Sequence, residues 1–144
     1  MKILRIDHIA LAAPSLEPAM HLWSELLGLQ AGLREYVPTQ LAEAGFLTIQ
    51  GAKEADACLE VISPKPPGQD SGIEKFLSRT PDRRGGLHHI AFAVEDLAAA
   101  LDELAARGVP LIDKVPRPGA RGRKVGFLHP RALGGVLVEL ISAE

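Results

Sequence analysis

The sequence predicts an α+β protein built from two successive βαβββ modules, and an internal repeat carries that prediction. Residues 6–10 return as residues 87–91, which puts His8 and His89 81 positions apart. In each half, the spacing of apolar residues changes from the two-residue period of a strand to the 3.6-residue period of a helix and back, in the same order. Two further pairs of segments keep nearly the same offset, namely 45–47 with 126–128 at 81 positions and 59–63 with 138–142 at 79.

The first module begins with a largely apolar strand over residues 3–11. Ser15 is expected to cap a helix with Glu17 in its first turn, where a negative charge suits the helix dipole. Gly28 stands where a glycine commonly ends a helix. Three strands are predicted to follow, at about 29–37, 44–50 and 57–63.

The second module repeats this plan. A strand over residues 87–94 leads to Asp96 as N-cap, an Ala/Leu-rich helix over 97–107 and a stop at Gly108. The remaining strands are predicted near 109–115, 123–128 and 136–142.

A proline-rich segment separates the modules, because residues 63–70 cannot form a central strand. Asp70 or Ser71 is then expected to cap a short amphipathic helix. The predicted boundaries are 1–64 for the first module, 65–86 for the linker and 87–144 for the second module. Together they form one compact domain over 3–143.

Composition limits the classes of partner. A net charge of −2 and a pI near 6.2 do not suggest a nucleic-acid binder. No apolar run approaches the roughly 20 residues that span a bilayer, and residues 1–7 lack the apolar core of a signal peptide. The single cysteine, Cys58, fits a reducing cytosol, so a cytoplasmic protein is expected.

Two His and two Glu occupy equivalent positions of the repeat: His8, Glu60, His89 and Glu139. A carboxylate in an apolar strand costs several kcal/mol unless a cation or hydrogen-bond donors offset the lost hydration. A divalent ion does so directly, and imidazole with carboxylate oxygen suits Zn, Co, Ni, Mn or Fe. The sequence therefore predicts a shared metal site, although each residue taken singly is more often structural.

The other histidines have plainer interpretations. His88 has the opposite strand parity to His89 and should pack toward the helix layer. His21 lies on the first helix beside its apolar stripe. His129 stands at a strand end, where a turn role competes with contact to a substrate.

Six segments carry a resemblance to a known family. The most specific are Gly86-Leu87-His88-His89 and Phe127-Leu128-His129-Pro130. With them the chain resembles the vicinal oxygen chelate (glyoxalase/bleomycin-resistance/dioxygenase) superfamily and, within it, the methylmalonyl-CoA epimerases. The resemblance implies an eight-stranded, open barrel-like cup around a metal site. The full set of segments is 6–10, 59–64, 70–77, 86–92, 119–130 and 134–140.

By this resemblance His8, His89 and Glu139 would be metal ligands, with Glu60 at a fourth place. The implied reaction interconverts (R)- and (S)-methylmalonyl-CoA by removing the C2 proton through a metal-stabilised enolate. Glu139 would move that proton. Some members use a second Glu on the third strand, and the matching residue here is Ala44, with Glu43 beside it at the wrong parity.

The resemblance also implies an acyl-CoA substrate and a homodimer. A basic loop could meet the phosphates of coenzyme A, although a solvated loop explains the same charges. The candidate substrate-binding residues are Arg117, Arg121, Arg123, Lys124 and His129.

Three other functions stay open. A lactoylglutathione lyase of the glyoxalase I type fits a set of two His and two Glu. A non-enzymatic small-molecule-binding member would share the fold, usually with an incomplete ligand set. An iron extradiol dioxygenase, which uses two His and one Glu, fits less well because Glu60 would occupy part of the face needed for substrate.

Overall fold

The computed structural model describes residues 1–143. Three α-helices and eight β-strands lie within these residues, which confirms the predicted α+β class. The helices are α1 (Leu16–Leu27), α2 (Gly72–Ser78) and α3 (Leu97–Ala106). The strands are β1 (Ile3–Ala12), β2 (Gln30–Val37), β3 (Ala42–Thr48), β4 (Cys58–Pro64), β5 (Gly86–Val94), β6 (Arg117–Pro118), β7 (Lys124–Leu128) and β8 (Val138–Ser142).

The chain divides into two compact units. The terminal unit comprises Met1–His8 and the described residues from His89 onward, and the central unit is Ile9–His88. The module boundaries inferred from the repeat describe the sequence, and they stay a prediction.

In the terminal unit the strand order is β1-β5-β8-β7-β6. β5 runs parallel to β8, and β7 runs antiparallel to β8. Helix α3 packs Leu101 and Leu104 onto Leu128 and Leu140, which point from the sheet toward the helix. Gly126 allows this close approach, because a Cβ there would lie 2.8 Å from a methyl carbon of Leu101.

In the central unit β2, β3 and β4 form an antiparallel series that continues to the end of β1. Helix α1 buries Leu16 and Met20 against Leu47 and Val61. Apolar residues at helical spacing on α1 thus meet apolar residues at strand spacing on β3 and β4.

The predicted caps are found where the repeat placed them. Ser15 and Asp96 hold the N-cap positions of α1 and α3. The Asp96 carboxylate accepts a hydrogen bond from the Ala99 N–H at 3.0 Å, whereas the Ser15 side chain accepts no capping hydrogen bond. Gly28 and Gly108 have φ values of 68° and 76°, the left-handed conformation that glycine adopts without strain. Ser71, rather than Asp70, caps α2 by accepting from the Glu74 N–H.

The strand predicted near residues 109–115 is wrong. Leu111 forms one isolated bridge to Leu128, and β6 comprises two residues further along. Pro110 has no N–H for a ladder. The Asp113 carboxylate accepts from the Phe127 N–H at 2.9 Å, so a side chain takes the place of a strand carbonyl.

The predicted strand 136–142 begins only at Val138, since Gly134 and Gly135 both have positive φ. Among residues 1–143, no α-helix combines the length and the apolar character required to cross a membrane.

Candidate metal centre

Three buried side chains meet in the terminal unit. The Nε2 atom of His8 lies 3.2 Å from Nε2 of His89 and 3.3 Å from Oε2 of Glu139. Nε2 of His89 lies 2.7 Å from the same carboxylate oxygen. Each of the three residues is at most 4% exposed. Two imidazoles and one carboxylate therefore direct their ligand atoms toward one point.

The register of the sheet brings these groups together. Ala91 on β5 lies opposite Glu139 on β8, and His89 is two residues before Ala91 on the same face of its strand. Phe127 on β7 lies opposite Glu139 from the other side. Its ring meets the His89 ring edge to face, with centroids 5.3 Å apart. The cluster thus has an apolar wall that limits access of water.

The two imidazoles control the charge of Glu139. Burial acts to raise the pKa of this carboxyl group, but hydrogen bonds and charge from His8 and His89 outweigh burial and lower it. The carboxylate is therefore ionised at neutral pH. A buried negative charge beside two imidazole nitrogens is the electrostatic setting that a cation favours.

The separations of the ligand atoms also fit an ion. Two atoms that each lie about 2.1 Å from one metal are roughly 3.0–3.4 Å apart in octahedral or tetrahedral geometry. The two separations from His8 Nε2, 3.2 and 3.3 Å, fall in this range. The distance of 2.7 Å between His89 and Glu139 is that of a hydrogen bond, and it would lengthen by a few tenths of an ångström.

Glu60 is buried on β4 in the central unit, with 4% of its surface exposed. It lies opposite Phe46 on β3. An ionised group at such a position requires a partner, as the sequence pattern indicated. Its assignment as a fourth metal ligand stays a prediction based on the repeat.

The register of β3 decides which residue shares the face of Glu60. Ala44 lies opposite Ile62, two residues from Glu60 on β4, so Ala44 and Glu60 are on the same face. Glu43 lies opposite Ser63 and is 3.6 Å from the Lys65 ammonium. The predicted parity of Glu43 and Ala44 is thus confirmed.

A carboxylate that the sequence interpretation passed over lies on the next strand. Glu35 on β2 is directly opposite Ala44, so its side chain leaves the sheet on the same face as Ala44 and Glu60. The alternation of residues along β2 shows which of them share a face with Glu35. The register of β2 against β3 was needed to show that this is the face of Ala44. Glu35 is half-buried.

The predicted substrate-binding residues divide into two groups. Arg117 forms an ion pair with Asp113 at 2.9 Å and stacks over the Phe127 ring, with 5.3 Å to the centroid. His129 caps a 3-10 turn, where its Nδ1 accepts from the Arg131 N–H at 3.1 Å. Lys124 is exposed at the start of β7. Their roles toward a substrate stay predictions.

Arg121 and Arg123 instead converge on Asp7, a residue the sequence interpretation did not single out. Arg121 donates to Oδ2 of Asp7 at 2.5 Å, and Arg123 donates to Oδ1 at 2.7 Å. Oδ2 also accepts from Nδ1 of His8 at 2.8 Å. Burial would raise the pKa of Asp7, but these hydrogen bonds and the Arg121 charge hold it well below its usual range.

Comparison with known proteins gives one family. A model of the Glyoxalase/Bleomycin resistance protein/Dioxygenase superfamily matches residues 7–127. The mitochondrial methylmalonyl-CoA epimerase of Dictyostelium discoideum is 38% identical over 136 residues, which cover 94% of this chain and 76% of the relative. The ethylmalonyl-CoA/methylmalonyl-CoA epimerase of Cereibacter sphaeroides is 36% identical over 137 residues, covering 94% of this chain and 96% of the relative.

Solved structures give the same result. The structure of a methylmalonyl-CoA epimerase in complex with methylmalonyl-CoA and NH4+ superposes with a TM-score of 0.87 at 29% identity. The match covers 98% of this chain and 95% of that chain.

Proposed function

Because the chain belongs to the glyoxalase/bleomycin resistance protein/dioxygenase superfamily, as the sequence indicated, we propose that it is a methylmalonyl-CoA epimerase. The observation that carries the proposal is its 36% identity to the Cereibacter sphaeroides epimerase over 96% of that protein. The cluster of His8, His89 and Glu139 supports it. Epimerisation beside a carbonyl needs a base and a means of stabilising negative charge on oxygen.

The proposed ligand set is His8, Glu60, His89 and Glu139. A divalent ion held there (Co, Mn, Ni, Zn or Fe) would act as a Lewis acid toward the thioester oxygen of methylmalonyl-CoA as negative charge develops on it. His8 and His89 contribute neutral donor nitrogens, and the two carboxylates balance the charge of the ion. The Phe127 ring packs edge to face against the His89 side of the cluster.

Glu139 is the proposed base for the C2 proton. Its low pKa keeps it ionised at neutral pH, so it is ready to accept a proton. Burial favours the protonated form, which assists acceptance once hydrogen bonds to the imidazoles weaken. Return of the proton by the same carboxyl group to the same face of the planar carbon restores the original enantiomer.

Inversion requires a second proton donor on the opposite face of that carbon. We assign this role to Glu35, because it shares a sheet face with Glu60 while Ala44 leaves the intervening position small. β2 lies two strands from β4, roughly 9.5 Å away, which leaves room for a substrate between the predicted ligand Glu60 and this acid. Some epimerases carry the second carboxyl group on β3. In this chain the neighbouring strand β2 would supply it.

The proposed substrate is an acyl-CoA thioester, as in the epimerase complex with methylmalonyl-CoA. Lys124 and Arg121 are both exposed to solvent. We expect these two cations, at the β6–β7 connection, to contact the nucleotide phosphates. Cytoplasmic location and a homodimer remain predictions, and the dimer is checked by light scattering of the purified protein.

A lactoylglutathione lyase is the second candidate. The buried carboxylate of Glu60 favours this function. Two His and two Glu are the ligand set of lyases of the glyoxalase I type. The same cluster would then move a proton next to a carbonyl of a glutathione hemithioacetal.

Exchange of the C2 proton tests the proposal. Purified protein loaded with Co2+ or Mn2+ is mixed with methylmalonyl-CoA in deuterated solvent, and deuterium uptake is followed by NMR together with optical inversion. We expect both, at rates well above that of free metal. Uptake no faster than free metal, combined with turnover of the methylglyoxal–glutathione hemithioacetal, would replace the epimerase by the lyase.

A further inference from the structure

Asp7 is a buried carboxylate surrounded by donors. It is 4% exposed, and each of its oxygens is contacted by a guanidinium group of the β6–β7 loop. Arg5 lies further away, with a nitrogen 3.3 Å from Oδ1. All of these residues belong to the terminal unit. A single negative charge therefore joins the first strand to a loop more than a hundred residues later.

The contact between Asp7 and His8 determines the state of the imidazole. A carboxylate oxygen 2.8 Å from Nδ1 accepts a hydrogen bond, so the ring proton of neutral His8 belongs on Nδ1. The lone pair then lies on Nε2, the nitrogen that is 3.2 Å from His89 and 3.3 Å from Glu139. The hydrogen bond also fixes the rotation of the ring.

The two arginines fix Asp7 in turn. Oδ2 accepts from both Arg121 and His8, whereas Oδ1 accepts from Arg123. Arg123 is further held by hydrogen bonds to the carbonyl oxygen of Ser142 at the end of β8. The carboxylate thus has an orientation set by groups on both sides, and it cannot rotate away from Nδ1 without losing a charged hydrogen bond.

We propose that Asp7 is a positioning residue for the metal centre: with Arg121 and Arg123 it holds His8 as the Nδ1–H tautomer, with Nε2 directed at the ion. The inference rests on the proposed metal site. Carboxylate groups that orient a metal-bound histidine commonly change metal affinity by about 10- to 100-fold when they are altered. An ion pair that serves only stability would leave the affinity of the folded protein unchanged.

Asp7→Asn is the main test. Asn keeps the shape of Asp but has no charge, so it cannot hold two guanidinium groups and orient the imidazole together. We expect Co2+ affinity, measured by calorimetry on folded protein, to fall about 10- to 100-fold, with a changed absorption spectrum of bound Co2+. Asp102→Asn, an exposed position on α3, is the matched control and should bind Co2+ as the unaltered protein does.

The tautomer of His8 gives a readout that needs no metal. Long-range 1H–15N spectra of metal-free protein distinguish Nδ1–H from Nε2–H, and His8→Gln identifies the signals. We expect the Nδ1–H form in the unaltered chain and a mixture in Asp7→Asn. If that variant does not fold, Arg121→Gln keeps Asp7 and removes one donor from Oδ2, with a smaller loss of affinity expected.

The measurements on Asp7→Asn and on the unaltered chain test the positioning role and the metal site separately. Unchanged Co2+ affinity and an unchanged tautomer in a folded Asp7→Asn protein would overturn the positioning role while leaving the metal site intact. An unaltered chain that binds no Co2+ would instead reject the metal site, and the spectra alone would then confirm or refute the Asp7–His8 contact.

Discussion

Glu35 and Ala44 stand directly opposite each other on β2 and β3, so a carboxylate faces a methyl group across the strand pair. Opposed residues of an antiparallel pair have Cβ atoms about 4.5–5.5 Å apart. A glutamate on β2 can therefore extend over the space that a larger residue at position 44 would fill. Glu35 thus places an acidic group on this face of the sheet, although β3 has Ala44 where some epimerases have a glutamate.

Replacing Glu35 with Gln should separate the two halves of the proposed reaction. For the enantiomer whose C2 proton faces Glu139, the first proton transfer does not use Glu35, so its deuterium exchange with retention should continue. Inversion of methylmalonyl-CoA should fall by about 10²-fold or more, the usual effect of removing a general acid or base. Polarimetry and NMR exchange on the same sample measure both rates. Equal loss in Glu54→Gln, an exposed loop position of the central unit, would contradict this role.

Replacing Glu139 with Gln should abolish inversion, together with C2 exchange of the enantiomer whose proton faces Glu139. The amide cannot accept the C2 proton, and it offers a weaker oxygen to a cation, so activity should drop by about 10²- to 10⁴-fold. Metal content and C2 exchange are the measurements. Glu95→Gln is the control, because that side chain is 64% exposed in the same unit. Exchange of that enantiomer retained in Glu139→Gln would require a different base on the same face of C2.

Removal of bound metal should lower thermal stability. An ion that binds only the folded chain stabilises it by about 2.7 kcal/mol when its concentration is 100 times its Kd. Chelator-treated protein should therefore unfold at a lower temperature, and Co2+ or Zn2+ should restore it. His89→Ala should show no such restoration. A melting temperature unaffected by either treatment would argue against an ion at this cluster.

Asp7 should make stability depend on pH in acid. Its pKa in the folded chain lies far below the ordinary value of 3.8, so the unfolded chain takes up a proton first as pH falls. The stabilisation is complete above about pH 5 and is lost progressively as pH falls below about 4 toward the folded pKa. Urea unfolding at a series of pH values should show a shallower decline for Asp7→Asn. Identical slopes would mean that Asp7 is not held as an ion.

Gly85 should resist substitution more strongly than an ordinary turn glycine. Its φ is 83°, and a Cβ there would overlap the carbonyl oxygen of Ala12. Gly68 has a φ of 78° with no atom within 4 Å of the added Cβ. Gly68→Ala should cost about 1–2 kcal/mol for the left-handed backbone, and Gly85→Ala should cost several kcal/mol. Chemical denaturation compares the two, and equal losses would show that the approach to Ala12 relaxes freely.

Most elements of the fold could be predicted because repeat, periodicity and caps agreed. The strand predicted near residues 109–115 was the exception. Its apolar residues suggested regular backbone hydrogen bonding to a neighbouring strand, which Pro110 and the Asp113 side chain interrupt. Side-chain hydrogen bonds that replace backbone ones leave no periodic signal in a sequence. The strand therefore shrinks to two residues further along.

The candidate site was predicted only in part for a similar reason. Burial of carboxylates in apolar strands pointed to Glu139, which lies with His8 and His89. Asp7 was missed because strict alternation places it on the opposite face from His8, yet its oxygen reaches Nδ1 of the next residue. The charge of Arg121 and Arg123 was visible in the sequence, whereas their partner more than a hundred residues away was not.

The repeat is broken where Asp7 has His88 as its counterpart. His88 packs edge to face against Phe76, with ring centroids 4.8 Å apart, and so serves the packing of α2. His8 thus follows an acidic residue along its own strand, whereas His89 follows an imidazole. The Asp7 carboxylate raises the basicity of the His8 ring, so the two halves of the repeat present unlike imidazoles to the cluster.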